Sequence, residues 1–250
     1  MIRGGQTALD EAQDLIYDAW EASSAEEAAF LALDALKISP DCADAYVILA
    51  QIMSRTLEEA IYMYRQAVEA GERALGKEAF EEDVGYFWGA LETRPYMRAR
   101  LGLAQCLWEA GDYEEAVEHY WELLRLNPMD NQGVRGLLMP GLIELNRDDD
   151  AERLFAQFNE DCMAVWMYSR ALLDFRKHGE SPVADESLRA ALNENKHVPA
   201  YLLGDKKLPD QHPDYYGFGD TNEAVIYAIG NRDAWKSTPG SLVWLASKTE

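Results

Sequence analysis

The sequence predicts an all-α fold, a right-handed α-α superhelix of about five helix pairs with a C-terminal helical cap. Three observations predict it. Apolar residues recur at helical spacing through most of the 250 residues, and no period-2 alternation of useful length appears. One two-helix unit recurs in the same frame along the chain. Hydrophobic residues make up 48%, enough for a large core in a chain of this length.

The clearest unit is MRARLGLAQCLWEAGDYEEAVEHYWELLRLNP, residues 97–128. Its first half sets Leu101, Ala104, Cys106 and Trp108 on a stripe, and EAGDY turns the chain. Its second half sets Ala116, Val117, Tyr120, Leu123 and Leu124 on another stripe, and Pro128 ends it. This is the roughly 34-residue tetratricopeptide pattern, with small residues where helices cross closely, expected here at Ala104 and Ala116. In chain order, residues 7–22 form a first helix A, with Leu9, Ala12, Ile16, Ala19 and Trp20 on one face. Residues 23–40 are its helix B, with Ala28, Ala35 and Pro40 in register. Residues 41–72 are the second repeat, with Tyr46, Leu49 and Ala50 on helix A and Ala60, Tyr64 and Ala67 on helix B. Residues 131–158 make a degenerate fourth repeat with Ala151 and Phe155 on helix B, and Pro140 should kink its helix A. Residues 164–195 make the last, with Tyr168, Ala171, Leu172, Ala184, Leu188 and Ala191 in frame.

The expected organisation is a repeat solenoid over residues 1–198, with an insertion at 73–96, followed by a loop and capping helices over 199–250. In the tail, a short helix is predicted to begin near Asp220, with Glu223 completing a capping box. Another is predicted at Pro239 after Thr238 as cap. Trp235, Leu242, Trp244 and Leu245 should dock the tail on the last repeat.

Charge narrows the function. Asp and Glu number 45 against 23 Lys and Arg, a formal net charge of −22, which repels phosphate backbones and argues against nucleic-acid binding. It suits solubility or a basic partner. Cys42, Cys106 and Cys162 lie far apart and form no C-x-x-C pair, so they read as buried or partly buried free thiols of a reducing, cytoplasmic setting. The N-terminus turns acidic with no apolar targeting stretch, and no window approaches the roughly 18 apolar residues of a membrane span.

Several stretches, SPDCADAYVILA, EEAIYMYRQAVEAGE, HVPAYLLGDKKLP and TNEAVIYAIGNRDAWKSTPGSLVWL, resemble in the same order the suppressor of tumorigenicity seven family. The resemblance covers roughly residues 38–245, and HVPAYLL is among its most specific pieces because it lies outside the generic repeat. ETRPYMRARLGLAQCLWEAGDYEEA is similar to a bacterial branch of soluble tetratricopeptide proteins. The resemblance implies a fold and an interaction role, with no reaction and no cofactor. The membrane segments of the eukaryotic relatives are not expected here.

Motifs that would carry chemistry fail on their surroundings. Gly71, Gly76 and Lys77 stand at the spacing G-x-x-x-x-G-K, but Glu78 replaces the Ser or Thr a phosphate loop needs, and helical rather than strand spacing precedes it. His119, His178, His197 and His212 show no metal-ligand spacing. His119 reads as a solvated or half-buried filler in mid-helix. RDDDA at 147–151 is an exposed turn without calcium-loop spacing.

The function expected is a protein- or peptide-binding scaffold using the concave groove of the array, not an enzyme. Registering the repeats puts Arg98, Leu101, Gln105 and Trp108 on the groove, then Gln132, Arg135 and Met139, then Trp166, Ser169, Arg170, Leu173 and Arg176. Arginines there could hold the carboxylates of an acidic or C-terminal peptide segment, with Trp108 or Trp166 giving apolar contact. The competing reading pairs these arginines with Asp and Glu of adjacent repeats. Phe80, Tyr86, Phe87 and Trp88 of the insertion either fold back as packing or form an exposed aromatic patch. The alternatives for the whole chain are a structural unit that forms homo-oligomers and, more weakly, an enzyme with a site hidden in the insertion or C-terminal loop.

Overall fold

The computed structural model describes residues 7–249, which form thirteen α-helices and no strand among the described residues. They fall into two compact units, one up to Val134 and one from Arg135. The reading of residues 1–6 as the start of an N-terminus without a targeting stretch lies outside the described residues.

The first unit holds α1 (Ala8–Trp20), α2 (Ala25–Ile38), α3 (Ala43–Met53), α4 (Leu57–Glu82), α5 (Arg94–Ala110) and α6 (Tyr113–Leu126). Consecutive helices pack as three antiparallel hairpins, and the first helix of each hairpin touches the first helix of the next. The helix starts are set by local chemistry. Thr7, Ser24 and Thr56 each accept a backbone N–H three residues on, and Thr7 forms a full capping box with Asp10. Gly111 ends α5 in the left-handed conformation, with φ 87°, that a side chain disfavours. The core runs along Ala12, Ile16, Ala32, Ala35, Ala45 and Leu49 and on through Ala67, Leu103, Leu107 and Leu124.

Ala104 is fully buried, and a second small residue of α5 lies at a tight contact: at Gly102 an added Cβ would lie 2.1 Å from the Tyr64 ring. The buried stripe of α5 is Leu103, Ala104 and Leu107, while Leu101, Cys106 and Trp108 are half-buried. The expected stripe ran one step off because helix A is covered on two sides, by α4 and by α6.

The insertion begins inside a helix. α4 runs on to Glu82 with a break at Gly76, whose φ of 70° is left-handed. Phe87 then turns inward, fully buried against Phe80 and Tyr96 at ring distances of 5.2 and 6.1 Å. The backbone N–H groups of Gly85 and Phe87 both donate to the carbonyl of Leu126, satisfying an end of α6 that would otherwise lack a partner. Trp88 is half-buried with the Arg94 guanidinium over its ring, and Tyr86 stays exposed. The G-x-x-x-x-G-K residues are thus part of a helix and its break.

The second unit holds α7 (Val134–Glu144, starting one residue before it), α8 (Asp148–Gln157), α9 (Ala164–His178), α10 (Pro182–Glu194), α11 (Val198–Leu202), α12 (Thr221–Ser237) and α13 (Ser241–Ser247). α7 continues through Pro140. α12 is longer than expected, at 17 residues. Its cap is Asp220, but Glu223 does not close a box. Its carboxylate is buried and accepts N–H bonds from Gly219, from the Asn195 amide and from Ala164 at the start of α9, so one side chain joins three segments. α13 starts at Ser241 rather than Pro239, because Thr238 ends α12 and Gly240, with φ 85°, makes the turn. Trp244 stacks on Phe175 at 4.6 Å and donates to Asp185 at 2.8 Å, and Trp235 and Leu245 are fully buried.

Candidate functional site

Successive first helices of the hairpins share one face in the first unit, and a polar junction marks it. Asp44, in the first turn of α3, is fully buried. It accepts from Arg98 Nε at 2.8 Å and Nη2 at 2.5 Å, and from Gln13 Nε2 at 3.1 Å. Gln13 stands on α1, Asp44 on α3 and Arg98 on α5, so one carboxylate ties three helices. The planar guanidinium meets the carboxylate with two parallel bonds, which fixes direction as well as charge. Above it lies the Trp20 ring, 5.0 Å from the guanidinium carbon, and Tyr17 adjoins Trp20 at 5.6 Å. Both aromatic side chains are about half exposed. Leu101 and Trp108, farther along α5, are half-buried, Gln105 is exposed, and Trp108 packs on Tyr113 at 4.7 Å. Gln132 donates to the carbonyl of Met97 at 3.2 Å, and its buried Oε1 has no partner.

In the second unit the expected arginines are held by carboxylates. Arg135 meets Asp161 at 2.7 Å and lies over the Phe158 ring. Arg170 meets Glu152 at 2.9 Å, with its guanidinium 3.8 Å from the Phe155 ring centre. Arg176, with its side chain only 10% exposed, bonds to the Ile143 carbonyl, Asp148 and the Thr238 hydroxyl. Trp166 is 3% exposed, edge-on to Phe155 and Phe158, so it is core in this arrangement. Met139, Ser169 and Leu173 are buried as well. Every expected arginine therefore has an acidic partner on another element, as the pairing reading had it. Trp20, Tyr17 and Gln105, by contrast, stay exposed.

Trp20 and Tyr17 were not among the expected groove residues, because a Trp on a helical stripe reads as core. The one signal of the junction was an acidic residue inside ADAYVILA, an otherwise apolar helix.

The thiols differ from expectation at one position. Cys42 is buried, and burial pushes its thiol up to about 11. Cys106 is half-buried and raised by burial, but Cys162 is exposed, since it lies between α8 and α9. His119 is nearly buried. Burial first, then the positive charge of Arg100, lowers it to about 4, so it is neutral near pH 7. Among the described residues no group of three His, Cys, Asp or Glu side chains could hold a metal ion, and no helix is long and apolar enough to cross a membrane.

The stacked hairpins define a tetratricopeptide-type all-α protein, and a solved structure agrees. YrrB, described as a tetratricopeptide protein with an unusual peptide-binding site, is similar over 74% of this chain and 84% of its own, with a TM-score of 0.51 and 19% identity. That likeness concerns the fold. A family model described as ST7 protein matches residues 5–249, and the chain belongs to that family. Relatives include the suppressor of tumorigenicity 7 protein-like of Gallus gallus, 28% identical over 94% of this chain and 46% of its own length. The ST7 homolog of Drosophila pseudoobscura pseudoobscura is 28% identical over 94% and 48%. The suppressor of tumorigenicity 7 protein of Macaca fascicularis is 29% identical over 83% and 43%. The chain thus spans less than half the length of these relatives.

Proposed function

We propose that this protein is a non-enzymatic scaffold that binds a polypeptide partner on the α1–α3–α5 face of its first unit. The observation that carries the reading is the Gln13–Asp44–Arg98 junction under the exposed Trp20. It fixes three helices at one point and holds an aromatic side chain there in place. A preorganised aromatic anchor loses little entropy on binding and can bury on the order of 200 Å². The peptide-binding site named for YrrB supports the same use of the fold. Gln105, exposed beside Leu101 and Trp108, extends the contact along α5.

An acidic or C-terminal carboxylate partner is the finer form of this reading. Its support is that the Arg98 and Arg170 side chains keep 30% of their surface exposed while paired, so their outer N–H groups can be shared with a ligand. The net charge of −22 speaks for a protein partner over nucleic acid, and the free thiols fit a reducing compartment such as the cytoplasm.

A photo-crosslinking residue at Gln105, compared with one at the exposed Glu118 of α6, tests the face in the native cell. A defined product from position 105 that is lost with Trp20→Ala is expected. Equal products from both positions would remove the proposal. Self-association is the second reading, favoured by Phe30 and Leu33 on α2, which are 62% and 43% exposed. A monomer by light scattering at high concentration would eliminate it.

A further inference from the structure

On the other side of α5 lies a cleft of about 560 Å³ between α4, α5 and α6. Residues 98 and 100 are two apart on a helix, so they point about 200° away from each other, and Arg100 faces this cleft when Arg98 faces the junction. The rings of Phe80 and Tyr96 line it, 5.0 Å apart and edge to face. Arg73, Lys77, Arg100 and Arg125 stand around it, a local gathering of positive charge in a chain of net −22.

These cations are not equivalent. Arg125 is held in two bonds by Glu122, and Arg73 by Asp41. Arg100 has no carboxylate among the described residues within ion-pair distance. It donates from Nη1 to the Tyr96 hydroxyl, and its buried Nε has no hydrogen-bond partner. Native proteins rarely leave a desolvated guanidinium N–H without an acceptor. Lys77 is exposed at the break in α4 and makes no ion pair among the described residues. Arg100 and Lys77, neither in an ion pair among the described residues, and an apolar floor therefore face one space. Glu69, Glu72 and Glu122, the last lowered first by its bonds from Arg125 and in part by the charge of Arg100, also line the cleft; they weigh against a polyanion and limit the fit to a single anionic group.

We propose that this cleft binds a ligand with one anionic group, carboxylate or phosphate, joined to an apolar body. Arg100 takes the anion, Lys77 assists at the rim, and Phe80 and Tyr96 receive the apolar part. The site is separate from the α1–α3–α5 face, so its fate leaves the partner-binding reading untouched.

Calorimetric titration of the full chain with N-acetylphenylalanine, its amide, phenyl phosphate and inorganic phosphate tests this. Binding of the acid but not the amide identifies a carboxylate ligand, and tighter binding of phenyl phosphate identifies a phosphate ester. Arg100→Gln should weaken the bound anion by about tenfold or more, as loss of a charge-assisted bond does. Lys77→Glu, at an exposed position that cannot disturb the core, should weaken it by a similar factor and keeps the test valid if Arg100→Gln unfolds. Arg55→Gln, in the turn before α4, should change nothing. No heat from either organic anion at millimolar concentration would overturn the proposal. So would affinity unchanged in both cleft variants, or inorganic phosphate binding as tightly as phenyl phosphate.

Discussion

Replacing Gly102 by alanine should be among the most damaging small changes in this chain. The added Cβ would lie 2.1 Å from Cε1 of Tyr64, 2.5 Å from Cζ and 2.8 Å from Cδ1, where ordinary contact begins near 3.4 Å. The ring must retreat by more than an ångström, and at 7% exposure it has little free space to enter. Overpacking of this kind costs about 1–3 kcal/mol, and so close an approach belongs at the upper end. Alanine returns roughly 1 kcal/mol of helix propensity. A net loss of about 2 kcal/mol follows, lowering the melting temperature by roughly 4–8 °C. Urea denaturation followed by far-UV circular dichroism measures it. Tyr64→Leu in the same chain should recover much of the loss, because the obstructing ring is gone. If Gly102→Ala stayed within about 0.5 kcal/mol of the parent, the close crossing of α4 and α5 would be refuted.

Other expectations follow from single contacts. Arg98→Ala strands a fully buried Asp44 carboxylate and should cost about 3–5 kcal/mol by denaturant titration, with Arg98→Lys between it and the parent because the paired bonds are lost. Glu223→Ala removes the acceptor of three N–H groups and should destabilise by about 3 kcal/mol, with early amide exchange at the start of α9. Trp244→Ala empties the stack on Phe175 and should cost about 3–5 kcal/mol, read as a thermal shift. His119 is lowered from 6.5 to about 4 in the fold, so the unfolded chain takes up its proton first as pH falls. Its contribution is complete above about pH 6.5 and is lost between there and about pH 4. Relative to His119→Gln, the parent should lose on the order of 1–2 kcal/mol over that window, after discounting for partial exposure. Parallel curves for the two proteins would contradict the burial of the imidazole.

How far the fold could be read in the residues depended on the range of the interaction involved. Ala28, Ala67, Ala116 and Ala191 recur in a frame that two helices need to approach each other. Helical spacing is local, so the hairpins α1–α2, α3–α4, α5–α6 and α9–α10 could be read without coordinates. Where the frame misled, a second neighbour was at work. The buried stripe of α5 moved to Leu103 and Leu107 because that helix is covered by both α4 and α6. The expected arginines could be named but their partners could not, since Asp44 and Arg98 are 54 residues apart and nothing in either segment encodes the meeting. Trp166 and Trp20 exchanged roles for the same reason: one is enclosed by Phe155 and Phe158, while the other rests on a guanidinium at the edge of the stack.

By itself, then, the sequence determined the helices, their pairing into repeats and an acidic surface, because periodicity and composition act within a turn or over the whole chain. Only the tertiary structure decided which charges are spent and which remain. Arg98 is committed to a buried carboxylate, while Arg100, two residues on, makes no ion pair among the described residues and bonds to the Tyr96 hydroxyl. That difference comes from a helical rotation of about 200° and from what other segments bring to each side, which no local pattern records.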